Sequence, residues 1–324
     1  MRTDLKGKHL ITTQDWSVQE LESLFELAAE LKQARKDGDA TRVLDLKTLY
    51  MIFFDASTRT RNSFETGITQ LGGHGIYLSP DKMQISHGEQ AGDTAKVLSR
   101  YGEGIAIRHC AYGEGNAYLN AIAEHASVPV LNMQCDIYHP CQILADYLTI
   151  KEKFGETRGL KLGVAWTCAP DYLRPISVPQ SLILMMPRFG IDVTLAYPPE
   201  CKLMPQIEAK AKANAEAAGS KFEISHTFED AFEDADVVIP KSWGPLLTTT
   251  DFEEGASIMR QYDTWVCDAE RMALGKDHII YMHPLPADRG REVTDEVIDG
   301  PQSVVFDEAE NRLHVQKALM ALTM

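Results

Sequence analysis

Basic residues are scarce in this chain. Its 324 residues hold 32 lysines and arginines against 47 acidic residues, a net charge of −15. Nucleic-acid backbones need concentrated Lys and Arg, so this balance argues against a nucleic-acid partner. A local arginine cluster can still invert the field for one small anion. Long apolar runs are also missing. No stretch reaches the length of a bilayer span, so no membrane partner is expected. The opening residues Met1-Arg2-Thr3-Asp4-Leu5-Lys6-Gly7-Lys8 lack the apolar core of a secretory signal. Cysteines are few: Cys110, Cys135, Cys141, Cys168, Cys201 and Cys267. None forms a Cys-x-x-Cys pair, so neither zinc nor any other metal is expected. Scattered thiols without a signal peptide fit a reducing, cytoplasmic setting. No Gly-x-x-x-x-Gly-Lys is present, which excludes a nucleotide P-loop, and no Gly-x-Gly-x-x-Gly follows a strand, which weighs against an NAD-type dehydrogenase. There is no solenoid repeat and no low-complexity tract. Apolar content of 44% and charged content of 24% are ordinary for a globular protein.

The most informative segment that is present runs from Phe53 to Glu65. Residues 49–54 read as a short buried strand, which breaks into Asp55-Ala56-Ser57-Thr58-Arg59-Thr60-Arg61. Phe64, Ile68 and Leu71 then recur at helical spacing. The polar cluster therefore opens a helix, where unpaired N–H groups and the positive end of the dipole favour a bound anion. Ser57 or Thr58 can cap the helix, and Arg59 and Arg61 can add charge-assisted bonds. A capped helix with solvated arginines is the plainer alternative.

The rest of the chain alternates short apolar runs with helices, the pattern of parallel sheets covered by helices. A first helix spans 16–35. Strands are expected at 74–78, 104–108 and 128–132, with helices at 58–71, 93–101 and 140–154. A polar, glycine-bearing joint at 154–159 marks the domain boundary, and the pattern restarts. Strands are expected at 161–166, 192–196, 222–225, 237–240, 279–282 and 304–306. Helices are expected at 178–188, 204–218, 228–233 and 311–322. The fold class is thus α/β, with two doubly wound parallel-sheet domains. Residues 1–154 form the first domain, joined by a terminal helix at 310–324, and residues 155–309 form the second. Ligands on such sheets bind at the C-terminal ends of strands. Ser57–Arg61, Arg108, 172–177, 241–243 and 283–286 all lie just past strands.

Four motifs in order carry a resemblance. Ser57-Thr58-Arg59-Thr60-Arg61 resembles the carbamoyl-phosphate signature of the aspartate and ornithine transcarbamylases. His139-Pro140-Cys141-Gln142 resembles that family's His-Pro-x-Gln, and His283-Pro284-Leu285-Pro286 its His-x-Leu-Pro. The run from Phe306 to His314 resembles the ornithine-type C-terminal signature. The resemblance covers the chain from about residue 45 onward. It implies an active site in the cleft between the two domains, with no cofactor. Ser57, Thr58, Arg59 and Thr60 would hold the phosphate. Thr60, Arg108 and His139 would polarise the carbonyl. Gln142 and the carbonyl of Leu285 would accept from the carbamoyl amide, and Arg312 would complete the site. Arg59, Thr60, Arg108, His139 and Gln142 would thereby be catalytic. Read alone, Arg108 is equally a surface arginine, His139 a turn residue, Gln142 an ordinary helix residue and His283 a structural one. The stretch 84–89 resembles the loop that reaches a neighbouring subunit, with Gln84 as the phosphate contact. That implies a homotrimer with shared active sites; a polar surface loop is the alternative.

No covalent nucleophile is needed, because the amine attacks directly. Alkyl amines are largely protonated at neutral pH, so activity is expected to rise into mildly alkaline pH. The acceptor signals conflict. Residues 287–294 look ornithine-type, yet Pro284 stands where ornithine enzymes usually carry cysteine, and no Ser-Met-Gly loop is present. Lys241-Ser242-Trp243 and the proline-rich stretch 169–179 resemble the knotted branch of N-acetyl- and N-succinylornithine transcarbamylases, which implies a possible knot in the second domain. Lys241, Trp243, Arg174, Pro284 and Arg289 are the acceptor-side candidates; a packed Trp243 and a solvated Lys241 are the plainer reading. Ornithine or an ornithine-like amino acid leads as acceptor. An N-acylornithine, a diamine, aspartate or another amino acid stays open, as does a non-catalytic carbamoyl-phosphate-binding protein.

Overall fold

A computed structural model describes residues 4–169 and 174–324. It divides into two compact units, Met1–Leu148 with Glu310–Met324, and Thr149–Ala309. In chain order the elements of the first part are α1 (Val18–Asp37), β1 (Thr48–Phe53), α2 (Thr58–Gln70), β2 (His74–Leu78), α3 (Ala91–Tyr101), β3 (Gly104–His109), α4 (Gly115–His125), β4 (Val130–Cys135) and α5 (Pro140–Phe154). They are followed by β5 (Lys161–Trp166), α6 (Ser177–Met185), β6 (Asp192–Ala196), α7 (Pro205–Ala218), β7 (Phe222–Ser225) and β8 (Val237–Lys241). The chain ends with α8 (Phe252–Arg260), α9 (Ala269–Met272), β9 (Ile280–Tyr281), α10 (Asp295–Ile298) and α11 (Val305–Thr323).

The first unit is built on a parallel sheet of order β2-β1-β3-β4. Strands β1, β3 and β4 are buried along nearly their whole length, as strands covered on both faces must be. Ile52, Ile105, Ile107, Leu119, Ile122 and Val130 form one apolar cluster between sheet and helices. After β1 the chain lays β2 on one side and then β3 on the other. The strand order thus reverses between β1 and β3, and the crevice at their C-terminal ends is where such sheets take ligands. Helix α2 starts there. On its far side Gly67 leaves room for α11, since a Cβ at that position would lie 3.0 Å from Met320 Cε and 3.3 Å from Lys317 Cγ.

The second unit repeats the plan with a parallel sheet of order β7-β6-β5-β8-β9. Its switch point falls between β5 and β8, so Trp166 and Lys241 stand as register partners at the open end. Gly163 in β5 is required by contact, because a Cβ there would sit 1.7 Å from the Ala231 carbonyl oxygen. Phe228, Phe232, Val238, Met272, Ile279, Tyr281 and Val297 share the core of this unit.

Several boundaries differ from the sequence reading. The expected strand at 304–306 is not one. Only Ser303 bridges to Tyr281, and Val305 already begins α11, with Glu308 N–H bonding Val304 O at 3.0 Å. The helix at 228–233 is a single 3-10 turn, Glu229–Ala231. Helices α4, α8, α9 and α10 went unread. Two of these four carry legible caps: Asp251 accepts from Glu254 N–H at 2.8 Å, and Asp268 from Arg271 N–H at 3.0 Å. The threaded loop expected in 169–179 includes residues 170–173, and the site segment 172–177 includes 172 and 173, which lie outside the described residues. Among the described residues no helix is long and apolar enough to cross a membrane, and no group of His, Cys, Asp and Glu could hold a metal.

Candidate functional site

In the first unit, Ser57 leaves the helical conformation with φ −156° and its hydroxyl accepts from Thr60 N–H at 3.3 Å, which caps α2. The cap fixes the first turn at the end of β1. Arg59 is half-buried and Thr60 fully buried, whereas Thr58 is exposed. Arg61 turns away. It pairs with Glu65 at 3.0 Å and stacks its guanidinium 4.0 Å from the Tyr77 ring, so it is not an arm of the anion site.

Arg108 stands at the end of β3, next in the sheet to β1. Its guanidinium donates to Gln134, its register partner on β4, and its Nε is buried without a hydrogen bond. His139 precedes Pro140, and its carbonyl accepts from Gln142 N–H at 3.1 Å and Ile143 N–H at 3.3 Å, which launches α5. Its ring is buried. Burial, and then the positive charges of Arg312, Arg108 and Arg59, hold its pKa well below 6.5. A neutral imidazole therefore sits among three guanidinium groups. Those three electrostatic partners place Arg59, Arg108 and Arg312 around one point.

Arg312 reaches this point from α11. It donates to Gln142 Oε1 at 2.6 Å and to Thr60 Oγ1 at 3.0 Å. Gln142 in turn donates to Asp146 at 2.7 Å. Gln316, oriented to satisfy its neighbours, donates to Ser63 Oγ at 2.6 Å and accepts from Arg312 at 3.2 Å. Burial pushes the Arg312 pKa down to about 10, which still leaves it charged at neutral pH. Cys141 is an inert core thiol: it donates to Asn132 O at 3.3 Å and burial pushes its pKa to about 12.

The sequence reading missed Gln134, Asp146 and Gln316. Asp146 and Gln316 lie one helical turn from Gln142 and Arg312, so (i, i+4) spacing could have found them. Gln134 becomes visible only from strand register. Gln84, by contrast, is exposed on a 3-10 turn and makes no hydrogen bond to the cluster.

The second unit carries its own polar cluster at the β5/β8 switch point. Glu292 is fully buried, and its Oε1 accepts from Ser242 N–H at 2.7 Å and Lys241 Nζ at 3.1 Å. Its Oε2 accepts from Asp288 N–H at 2.9 Å and Arg174 Nη1 at 3.1 Å. Burial alone would raise the Glu292 pKa, but Lys241, His283 and Arg174 together hold it far below the usual carboxylate range. The second arm of Arg174 binds Asp288. His283 Nδ1 accepts from Leu285 N–H at 2.9 Å, which puts the ring proton on Nε2, 3.3 Å from Glu292. Burial holds His283 below 6.5. Leu285 has φ +36° and Pro284 beside it is buried. The solvated Lys241 of the plainer reading is not seen, since only 14% of its side chain is exposed. Trp243 is fully buried, with its indole N–H donated to Cys201 O at 2.7 Å. Arg289 lies on the surface, bound to Asp295 at 2.6 Å and Asp299 at 2.6 and 2.7 Å. The structure brings Lys241 and Arg174 together, and leaves Arg289 and Trp243 engaged elsewhere.

Two family models match the chain. The carbamoyl-phosphate-binding domain of the aspartate/ornithine carbamoyltransferases spans residues 8–152, and their Asp/Orn-binding domain spans residues 164–323. The chain belongs to the aspartate/ornithine carbamoyltransferase family. An ornithine carbamoyltransferase of Thermococcus kodakarensis is 42% identical over 100% of this chain and 98% of its own length. One from Carboxydothermus hydrogenoformans is 40% identical over the whole of both chains. Among solved structures, the ornithine carbamoyltransferase of Pyrococcus furiosus superposes with a TM-score of 0.91 at 38% identity, covering 99% of this chain and 98% of that one. An N-acetyl-L-ornithine transcarbamylase gives the same TM-score of 0.91 at 36% identity, covering 98% of this chain and 100% of that one. Membership makes the chain a carbamoyltransferase. The equal superposition on two named activities means that the fold does not select between acceptors.

Proposed function

We propose that this carbamoyltransferase moves the carbamoyl group of carbamoyl phosphate onto the amino group of ornithine or an ornithine-like amino acid, giving a ureido product and phosphate. The observation that carries the reading is the set of three arginines around a neutral, buried His139 at the switch point of the first sheet. A phosphate is held by the start of α2 and Arg59. Thr60, Arg108 and His139 donate to the carbonyl oxygen, where negative charge develops as the amine adds. Each such preorganised donor is worth on the order of 3–4 kcal/mol. Gln142 Oε1 and the carbonyl of Leu285 accept from the carbamoyl amide, which fixes its orientation. The departing phosphate takes the amine proton.

On the acceptor side the reading assigns Lys241 and Arg174 to the amino-acid end, with Pro284 shaping the loop. Trp243 contributes packing, and Arg289 holds the loop through its two aspartates. The exposed Gln84 suits a homotrimer in which that loop completes a neighbour's site. Six free thiols support a cytoplasmic setting. An N-acylornithine acceptor is a second reading, since the chain superposes on an N-acetyl-L-ornithine transcarbamylase as well as on an ornithine carbamoyltransferase.

The test is a colorimetric ureido assay with carbamoyl phosphate and a panel of ornithine, N-acetylornithine, N-succinylornithine, putrescine, 2,3-diaminopropionate and aspartate. An Arg59→Ala control accompanies it. Product with an ornithine-like acceptor, lost in the control, supports the reading. Turnover confined to aspartate or a diamine would overturn the acceptor, and neither turnover nor carbamoyl-phosphate binding would overturn the whole assignment.

A further inference from the structure

Among the described residues, the ion-paired cluster at the second switch point is balanced in charge. Lys241 and Arg174 supply two cations, and Glu292 and Asp288 supply two carboxylates. His283 adds no charge, because its Nδ1 is an acceptor and its ring is neutral. Exposure is uneven, however. The side chains of Lys241, Arg174 and Asp288 are 14%, 21% and 29% exposed, while that of Glu292 is at 0%. A ligand can therefore reach two cations and one anion, but not the buried carboxylate behind them. Thr167 Oγ1 and Ser242 Oγ, fully buried at these strand ends, carry no hydrogen bond and add neutral polar capacity.

We propose that Glu292 is a specificity-determining residue, whose buried charge cancels one cation of the cluster and so restricts the acceptor to a zwitterionic amino-acid head over a doubly anionic one. The inference rests on the reading of this cluster as the acceptor side. An α-carboxylate binds Lys241 and Arg174, and an α-ammonium binds Asp288, without leaving any charge unpaired. Within the ion-paired cluster of Lys241, Arg174, Glu292 and Asp288, a second carboxylate finds no cation that is not already held by Glu292 or Asp288. Burying it there leaves an uncompensated anion, which is strongly disfavoured. The selectivity thus comes from a residue that no acceptor touches.

The experiment measures equilibrium binding rather than turnover. The full chain, saturated with inorganic phosphate, is titrated calorimetrically with L-norvaline as the zwitterionic probe and succinate as the dianionic one. Wild type is expected to favour norvaline. Glu292→Gln keeps the hydrogen-bonding shape but removes the charge, and is expected to move the affinity ratio toward succinate by roughly tenfold or more. Asp288→Asn removes the partly exposed carboxylate, moves the ratio the same way, and decides the matter if the buried substitution does not fold. An unchanged ratio in the folded variants overturns the proposal. So does a wild type that prefers succinate or binds neither probe. Ureido formation by that same wild type would leave the carbamoyl-transfer reading standing.

Discussion

Replacing Arg312 with methionine separates what this site costs from what it does. Arg312 is fully buried, and burial lowers its pKa from 12.5 to about 10. That difference sets a penalty of about 3 kcal/mol against the charged form at neutral pH. Methionine removes the penalty and roughly preserves the volume. It also strips donors from Gln142 Oε1 and Gln316, while the Thr60 hydroxyl can rotate to another partner. Two buried amide oxygens that each lose a donor cost about 1–3 kcal/mol each, or about 2–6 kcal/mol together. The two effects largely offset, so the net change ranges from a gain of about 1 kcal/mol to a loss of about 3 kcal/mol. Activity has no such offset. Loss of one charge-stabilising donor lowers kcat on the order of 100- to 1000-fold. Urea unfolding followed by fluorescence, with steady-state ureido formation on the same preparation, measures both. A folded variant with kcat within a few-fold of wild type would refute the role given to Arg312. An unfolded one would refute the offset between its burial and its bonds.

Gln134→Leu should release Arg108, its register partner, and lower kcat roughly tenfold with little change in the acceptor KM; a matched fall in melting temperature without a kcat effect would mean that the bond is only structural. Ser57→Ala should cost about 1 kcal/mol of cap energy and raise the KM for carbamoyl phosphate, read by urea unfolding and initial rates. Stability should fall with acid. His139 and His283 are held below 6.5, and burial pushes His314 down to about 4. Below about pH 6.5 the unfolded chain takes up protons that the folded chain refuses, so stability is complete above that pH and declines beneath it. Urea midpoints from neutral pH to about pH 5 test this sign, and His139→Asn should flatten part of the slope.

What was legible in the sequence was local. Strands buried on both faces, such as β1 and β5, announce themselves as short apolar runs. Ser57 before a helical apolar spacing is a cap because the hydroxyl needs only its own chain. Other signals were misread where two local meanings compete. Val304-Val305-Phe306 is apolar and β-branched, yet it opens a helix, since tertiary packing of α11 overrides the propensity. Arg61 has the composition of an anion ligand, but its helical neighbour Glu65 and the Tyr77 ring claim it. The Glu292 cluster was not legible at all. Its partner Arg174 lies 118 residues away and Lys241 51 residues away, so no spacing rule links them.

The two switch points solve opposite electrostatic problems with the same scaffold. In the first unit, Arg59, Arg108 and Arg312 gather around a neutral His139, and Asp146 is the carboxylate that acts on Arg312. A phosphoryl group carries close to two negative charges at neutral pH, the kind of ligand that such a cluster of guanidinium groups favours. On the proposed reading, the counter-charge that Arg312 lacks beside two other arginines comes from the substrate. In the second unit the protein closes the balance itself, with Glu292 out of reach of solvent. A cluster that is neutral before binding gains nothing from a net-charged ligand and most from one whose own charges sum to zero. Each sheet offers a crevice at its switch point, and on the proposed reading the buried Glu292 carboxylate beside the second one selects its ligand.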